Sequence, residues 1–388
     1  MCRLLITTLL LGLFSLPIHC INLDVGLLRN AQLKHIVFHS DSSDFKISTR
    51  SNYDALNLKK GQRLKIQFHN DSIRLKIGEQ SLGHFDTLYF QSKTNDAIFT
   101  ISSLVPSLKS RKYYSNLKAF VSGNAITIVN QIDLERYLIG VLESEVGPNE
   151  SKDFYKVHAV ISRTYALKNI NKFIHEGFNL TDLVNCQVYK GKMYKIKAIE
   201  DAVNETKNLV LVDKNIDYIT AAYYSNSGGQ TVNVEDVWLE PLYYLRSVKD
   251  PYSVGKHNYS WSKKIDKSKW LNYLKTKHNF PTEDPELLKK ACNFKQKYRK
   301  KYFLDWNHHI LLTDLRKDFR LKSTFFSITE HADYILLKGK GFGHGVGLSQ
   351  EGAIQMIKLG YGFLDVLRFY YTGVHLIDLQ MRDFYISD

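Results

Sequence analysis

The stretch IDLERYLIGVLESEVGPNESKDFYKVHAVISRTYALKNINKF, residues 132–173, is where the hydrophobic period of the chain changes. Upstream, from Ile21 to about Asn130, apolar residues alternate in short runs such as HIVFHS, RLKIQF, SIRLKI, AIFTI, LKAFV and AITIVN, with Asn, Asp, Gly and Ser between them. Period-two alternation between turn formers predicts strands with one buried face, hence a mostly antiparallel β-region. Within the quoted stretch Phe154, Val157, Val160, Ile161, Thr164, Tyr165 and Leu167 recur at helical spacing and predict a helix over about 150–171. Asn149 is the expected cap, with Glu150 and Asp153 in the electropositive first turn. The chain reads as α+β: a β-rich N-terminal region, then a mixed core with a long helix after an acidic motif.

Downstream, YYSNSGGQTVNVEDVW is turn-rich, and residues 256–303 look helical but irregular, with Pro281 and Pro285 as breaks. Strand-like STFFSI and YILLKG lead into GKGFGHGVG, residues 339–347, after which Ser349 can cap a helix that Gly360 ends. Five glycines in nine residues cost backbone entropy that only close contact repays. The run matches neither G-x-G-x-x-G nor the phosphate loop, since Gly339-Lys340 is followed by Gly341.

The 388 residues allow two or three domains, and the composition is that of a folded protein. Arg3, the apolar run Leu4–Leu16 and Pro17 predict an export signal over 1–20, and Cys20 is a candidate lipid attachment point. That run is shorter than the ~20 residues a membrane helix needs. Export would leave Cys186 and Cys292, a candidate bridge but no disulfide framework. Lys and Arg outnumber Asp and Glu by 53 to 39, and residues 256–301 concentrate the excess. For an exported chain this favours polyanionic wall polymers or a membrane surface over nucleic acid.

Few residues declare chemistry by spacing alone. Glu143 and Glu145 are one residue apart, so in an extended stretch they face opposite ways and at most one enters a given cleft. Ser227, Gly228 and Gly229 can bring backbone N–H groups to a ligand or simply form a turn. No G-x-S-x-G elbow is present, Cys186 with His344 is an unsupported nucleophile pair, and His308-His309 lack metal-ligand spacing.

Six ordered blocks, YLIGVLESEVG, KVHAVISRTYAL, NCQVYKG, YYSNSGGQTVNVEDVW, YLRSV and GKGFGHGVGLSQEGA, resemble the stage II sporulation protein D family over about residues 110–376. The resemblance divides the chain into a β-rich region over 21–109 and a core over 110–378 that carries a basic insertion at about 253–320. It implies a peptidoglycan lytic transglycosylase, or a non-catalytic amidase enhancer or wall-binding protein. The glycan strand would be the substrate, and an N-acetylmuramoyl-L-alanine amidase a further partner. Glu145 is then the catalytic acid and Glu143 incidental. Arg163, Tyr165, Gln187, Tyr189, Ser227, Gly228, Gly229, His344, Ser349 and Gln350 fall in blocks expected to line the groove. The glycine run would approach either the sugar or the segment carrying Glu145, with His344 and Gln350 offering hydrogen bonds. Some relatives carry zinc on His and Cys near NCQVY, but Asn185 and Leu180 stand where that set would be built, so no metal or cofactor is expected.

Overall fold

The structure is a computed structural model and describes residues 21–49, 54–238, 240–304 and 310–386; the expected signal over 1–20, with Cys20, and the His308-His309 pair lie outside them. The alternating runs form two sheets. The first has the strand order Leu180–Thr181, Asn22–Leu27, Ala125–Asp133, Asn116–Ser122, Thr87–Ser92, Phe45–Thr49, Asp54–Leu58, and is antiparallel except where its short first strand runs parallel to the second. The second has the order Arg111–Tyr114, Ile98–Val105, His35–Ser40, Arg63–His69, Ser72–Ile77, Gln80–Phe85. Their inner faces meet through Phe38, whose ring lies 5.1 Å from that of Phe45 and 4.7 Å from that of Phe90. Each fully buried side chain of this size contributes roughly 1.5–3 kcal/mol. The β-region therefore runs past residue 109, to Asp133.

Two helices follow directly. Asp133 ends the last strand and caps α1, Leu134–Glu145, by accepting from the amides of Glu135 and Arg136. The expected extended geometry around Glu143 and Glu145 is thus replaced by the last turn of a helix. The helix α2, Lys152–Lys168, is capped by Ser151, which accepts from Phe154 N; Asn149 instead takes a left-handed φ of 81° in the connection. One side of α2 (Tyr155, Ala159, Ala166, Leu167) packs on the sandwich. The other (Phe154, Val157, Val160, Ile161) packs on a second cluster with Val346, Leu348, Ala353 and Tyr371. A helix apolar on both sides is a central one.

The basic insertion has its own core, built on Trp270, Phe303, Leu315 and Phe319 beneath a three-stranded antiparallel sheet in the order Ser260–Asp266, Tyr334–Lys340, Phe326–Glu330. Pro285 does not break a helix here; it is the first residue of Pro285–Cys292, where its missing N–H is no loss and Asp284 caps. Cys292 is buried in that core and Cys186 half-buried elsewhere, so both thiols are free and the candidate bridge is not formed. Arg299 ties the insertion to the core: its fully desolvated guanidinium donates to the carbonyls of Gln230 (2.7 Å) and Ser227 (2.6 Å). Among the described residues no helix is long and apolar enough to cross a membrane.

Candidate functional site

The end of α1 builds the site. Gly147, at φ 76°, donates to Leu142 O and turns the chain out of the helix, which leaves Glu145 in its final turn. Residues 187–194 lie along this end and donate to it in sequence. Val188 N bonds Glu145 Oε1 (2.7 Å), Lys190 N bonds Ser144 Oγ (3.0 Å), and Met193 N and Tyr194 N bond Glu143 Oε2 (2.8 and 3.0 Å). The close approach depends on Gly140, since a Cβ there would come within 2.5 Å of the Tyr189 ring. Glu143 is therefore a clamp for two backbone amides, whereas Glu145 lines a cleft of ≈ 610 Å³.

The opposite wall comes from Thr220–Ser225, Trp238 and the glycine run. A two-residue parallel pairing, Tyr223 with Leu348 and Tyr224 with Ser349, fixes this wall to the start of the helix Gln350–Lys358. Ser349 caps that helix by accepting from Gly352 N and also accepts from Ser227 N, at 3.2 Å. Four of the glycines, Gly341, Gly343, Gly345 and Gly347, turn out to pack against residues 222–232. A Cβ at Gly341 (φ 78°) would meet Asn226 O at 2.6 Å, and one at Gly347 (φ 75°) would meet Ala222 O at 2.2 Å. They approach the segment that carries Tyr223, not the one that carries Glu145.

His344 reaches the cleft with its ring but has no free nitrogen. Nε2 donates to Tyr223 O (2.9 Å) and Nδ1 accepts from Val346 N (3.1 Å). Burial lowers its pKa to about 4, so the ring is neutral and stacks beside Tyr224 and Trp238 rather than offering hydrogen bonds to a ligand. Gln350 faces the cleft and contacts His158 Nε2 at 3.2 Å; burial lowers the pKa of His158 to about 3. Tyr165 lines the cleft and donates to Asn185 O, beside Lys172 and Cys186.

The other residues expected in the groove lie behind it. Arg163 is fully buried and pairs with Glu135; Tyr189 donates to Asn130 Oδ1; Gln187 accepts from Tyr137. Ser227 donates to the buried Asp250, Gly228 is pressed against Lys340 and Gly341, and the Gly229 N–H donates to the hydroxyls of Ser227 and Ser253 rather than facing a ligand. The residues that spacing did not single out are Tyr223 and Trp238, which open and close one quoted block, and Phe342, which lies within the glycine run. Trp238 and Phe342 are about two-fifths exposed, a large apolar outlay at a cleft mouth.

Burial pushes the Glu145 carboxyl above its ordinary range, and the Val188 amide, the Tyr223 hydroxyl and Lys190 only partly oppose this. The carbonyl end of α1 acts in the same sense as burial by disfavouring negative charge. Glu145 is the only carboxylate among the described residues lining the cleft. Such a group can hold a proton, hand it to a leaving oxygen and later retrieve one. No three His, Cys, Asp or Glu side chains converge among the described residues, and Leu180 is a buried strand residue.

A family model described as Stage II sporulation protein matches residues 122–212, the span of the last strands, both helices and the Val188 segment. An uncharacterized protein of Brachyspira hyodysenteriae is 30% identical over 288 residues, 70% of this chain and 74% of its own. Stage II sporulation protein D of Bacillus subtilis is 29% identical over 263 residues, covering 64% and 75% of the two chains. The amidase enhancer of the same organism is 26% identical over 291 residues, 62% of this chain and 40% of its own.

Proposed function

The chain belongs to the stage II sporulation protein D family, and from that premise we propose that it acts on the bacterial cell wall as a lytic transglycosylase, with Glu145 as acid and then base. The observation that carries this reading is a single carboxyl group, pushed above its ordinary range by burial, in a cleft with aromatic walls. Hydrolytic glycosidases generally use two carboxylates, one as acid and one for water or the sugar. A sugar that supplies its own nucleophile removes the second requirement. Glu145 would protonate the glycosidic oxygen between MurNAc and GlcNAc as the C1–O bond breaks. The MurNAc 6-hydroxyl then attacks C1, its proton passes to the Glu145 carboxylate, and a 1,6-anhydro ring closes with the acid regenerated.

The neutral His344 and the Val188 amide hold the two walls in place, and Trp238 and Phe342 offer flat faces to pyranose rings. Release from the cell into the wall compartment, directed by residues 1–20, fits the same reading. Mass spectrometry of amidase-denuded glycan strands should find anhydro-ended fragments with the wild type and none with Glu145→Gln. Intact strands with both proteins would overturn the assignment.

The likeness to an amidase enhancer favours one second reading. In it the cleft holds glycan without cutting, and an added N-acetylmuramoyl-L-alanine amidase releases stem peptides faster whichever residue occupies position 145.

A further inference from the structure

The insertion sheet has two different faces. Inward, Ile265, Leu337, Ile335 and Ile328 join the local core, and the Trp261 ring covers Gly339, where a Cβ would sit 2.1 Å from it. Lys263, on the same side, spends its ammonium on Phe319 O at 2.6 Å. Outward, the register sets Lys264 opposite Leu336, Ser262 opposite Lys338 and Ser260 opposite Lys340, with Ser327 and Thr329 on the third strand beside Lys338 and Leu336. Lys264, Lys338 and Lys340 are exposed. Glu330, Glu283 and Asp318 of the insertion pair instead with Lys267, Lys275 and Lys277. The three outward lysines have no ion-pair partner among the described residues, and Asp266 is the one acid on the face, at its far end.

This face runs into the cleft. Lys340 is followed by Gly341 and by Phe342, which lines the cleft mouth, and the Lys322 ammonium lies 5.5 Å over the Phe342 ring. Along the strand, Lys338 and Lys340 are about 7 Å apart at the usual rise per residue. Lysines interleaved with hydroxyls suit a chain whose units carry both a carboxylate and hydroxyl groups.

We propose that the outward face of this sheet extends the cleft as a docking track for an acidic glycan strand, meeting its lactyl carboxylates with Lys264, Lys338 and Lys340. The inference rests on a glycan occupying the cleft, as in the proposed function, and adds where the rest of the strand lies. Charge complementarity and continuity with the cleft select this occupant over a lipid surface.

The test uses the full chain with Glu145→Gln, so that strands stay uncut, against the same chain also carrying Lys264→Gln, Lys338→Gln and Lys340→Gln. Binding is measured to denuded glycan strands of graded length, to those strands with their lactyl carboxyls converted to methylamides, and to a short chitooligosaccharide. The lysine changes should weaken binding of long acidic strands about tenfold and abolish both the gain with length and the loss with salt. Binding of methylamide strands and of the chitooligosaccharide should not change. Unaltered affinity for long acidic strands would overturn the proposal. So would a loss seen only on phosphatidylglycerol vesicles, which would assign the face to a membrane. Failure of the wild type to form anhydro ends would count against the proposed function alone, because the binding measurement needs no cleavage.

Discussion

Arg163 tests the difference between a groove residue and a buried support. Its guanidinium is fully buried and grips Glu135 with two bonds, Nε to Oε1 at 2.9 Å and Nη2 to Oε2 at 2.5 Å, while Nη1 donates to Leu209 O at 3.1 Å. The Glu135 side chain is itself only 15% exposed. Arg163→Met keeps the aliphatic stem but strands a buried carboxylate and a backbone carbonyl, and removing one partner of such a pair costs roughly 3–5 kcal/mol. Against a total stability of about 5–15 kcal/mol this is a fifth or more. At about 2 °C per kcal/mol it lowers the melting temperature by about 6–10 °C. Glu135→Gln with Arg163→Met should cost less than the two single changes added together, since neither charge is then left alone. Urea unfolding followed by circular dichroism supplies the free energies, and glycan binding per folded molecule supplies the control. Wild-type stability in Arg163→Met together with lost glycan binding would refute the reasoning and return Arg163 to the groove.

Glu145→Gln should lower glycan cleavage by about 10²–10⁴-fold while keeping the fold, because the amide oxygen still accepts from Val188 N. Its folded pKa lies above the unfolded value, so the native state binds more protons in that window and wild-type stability falls as pH rises through it. The variant should gain on the wild type from pH 4 to pH 7 in urea titrations, and a constant difference would contradict the assignment. His158 and His344, lowered to about 3 and about 4 by burial, behave in the opposite sense. The unfolded chain takes up their protons first, so stability is full above the unfolded pKa and drops as pH falls towards 4, by at most about 1.4 kcal/mol per pH unit for each. His344→Gln should flatten that slope in the same titrations and leave binding flat between pH 6 and 8. Gly341→Ala places a Cβ against Asn226 O at a left-handed φ, and should cost more than about 1–3 kcal/mol and weaken glycan binding by moving the Tyr223 wall.

The sandwich was legible because strands such as His35–Ser40 and Asn116–Ser122 alternate around one buried face. The central helix was legible for a related reason: its apolar positions recur on two faces and leave no other period. The expectation of extended geometry at Glu143 and Glu145 failed although Leu134, Tyr137, Leu138, Val141 and Leu142 follow helical spacing. Gly140 interrupts that pattern, and it is there for the Tyr189 ring, a contact about fifty residues away in sequence. The glycine run shows the same limit. Its cost to the backbone is visible in the sequence, but the repaying partner, residues 222–232, lies more than a hundred positions upstream. Arg163, Ser227 and Ser349 fell in the right blocks yet behind the cleft, because a block marks an element and not the direction in which each side chain points.

The insertion enters and leaves the core through a doorway one hydrogen bond wide. Gly341 N donates to Tyr259 O at 2.7 Å, and the strands it joins, Ser260–Asp266 and Tyr334–Lys340, are already paired. Everything between them is a cassette whose two ends are pinned at adjacent points whatever its length, and doubling a flexible loop costs only about 0.6 kcal/mol. The wall made by residues 341–350 meets the cassette at a few points beyond that joint: Gly343 N donates to Lys322 O at 2.9 Å, the Lys322 ammonium lies over the Phe342 ring, and Arg299 reaches across to the carbonyls of Gln230 and Ser227. Such a joint lets the module be enlarged, trimmed or recharged while Glu145 and its cleft stay where they are.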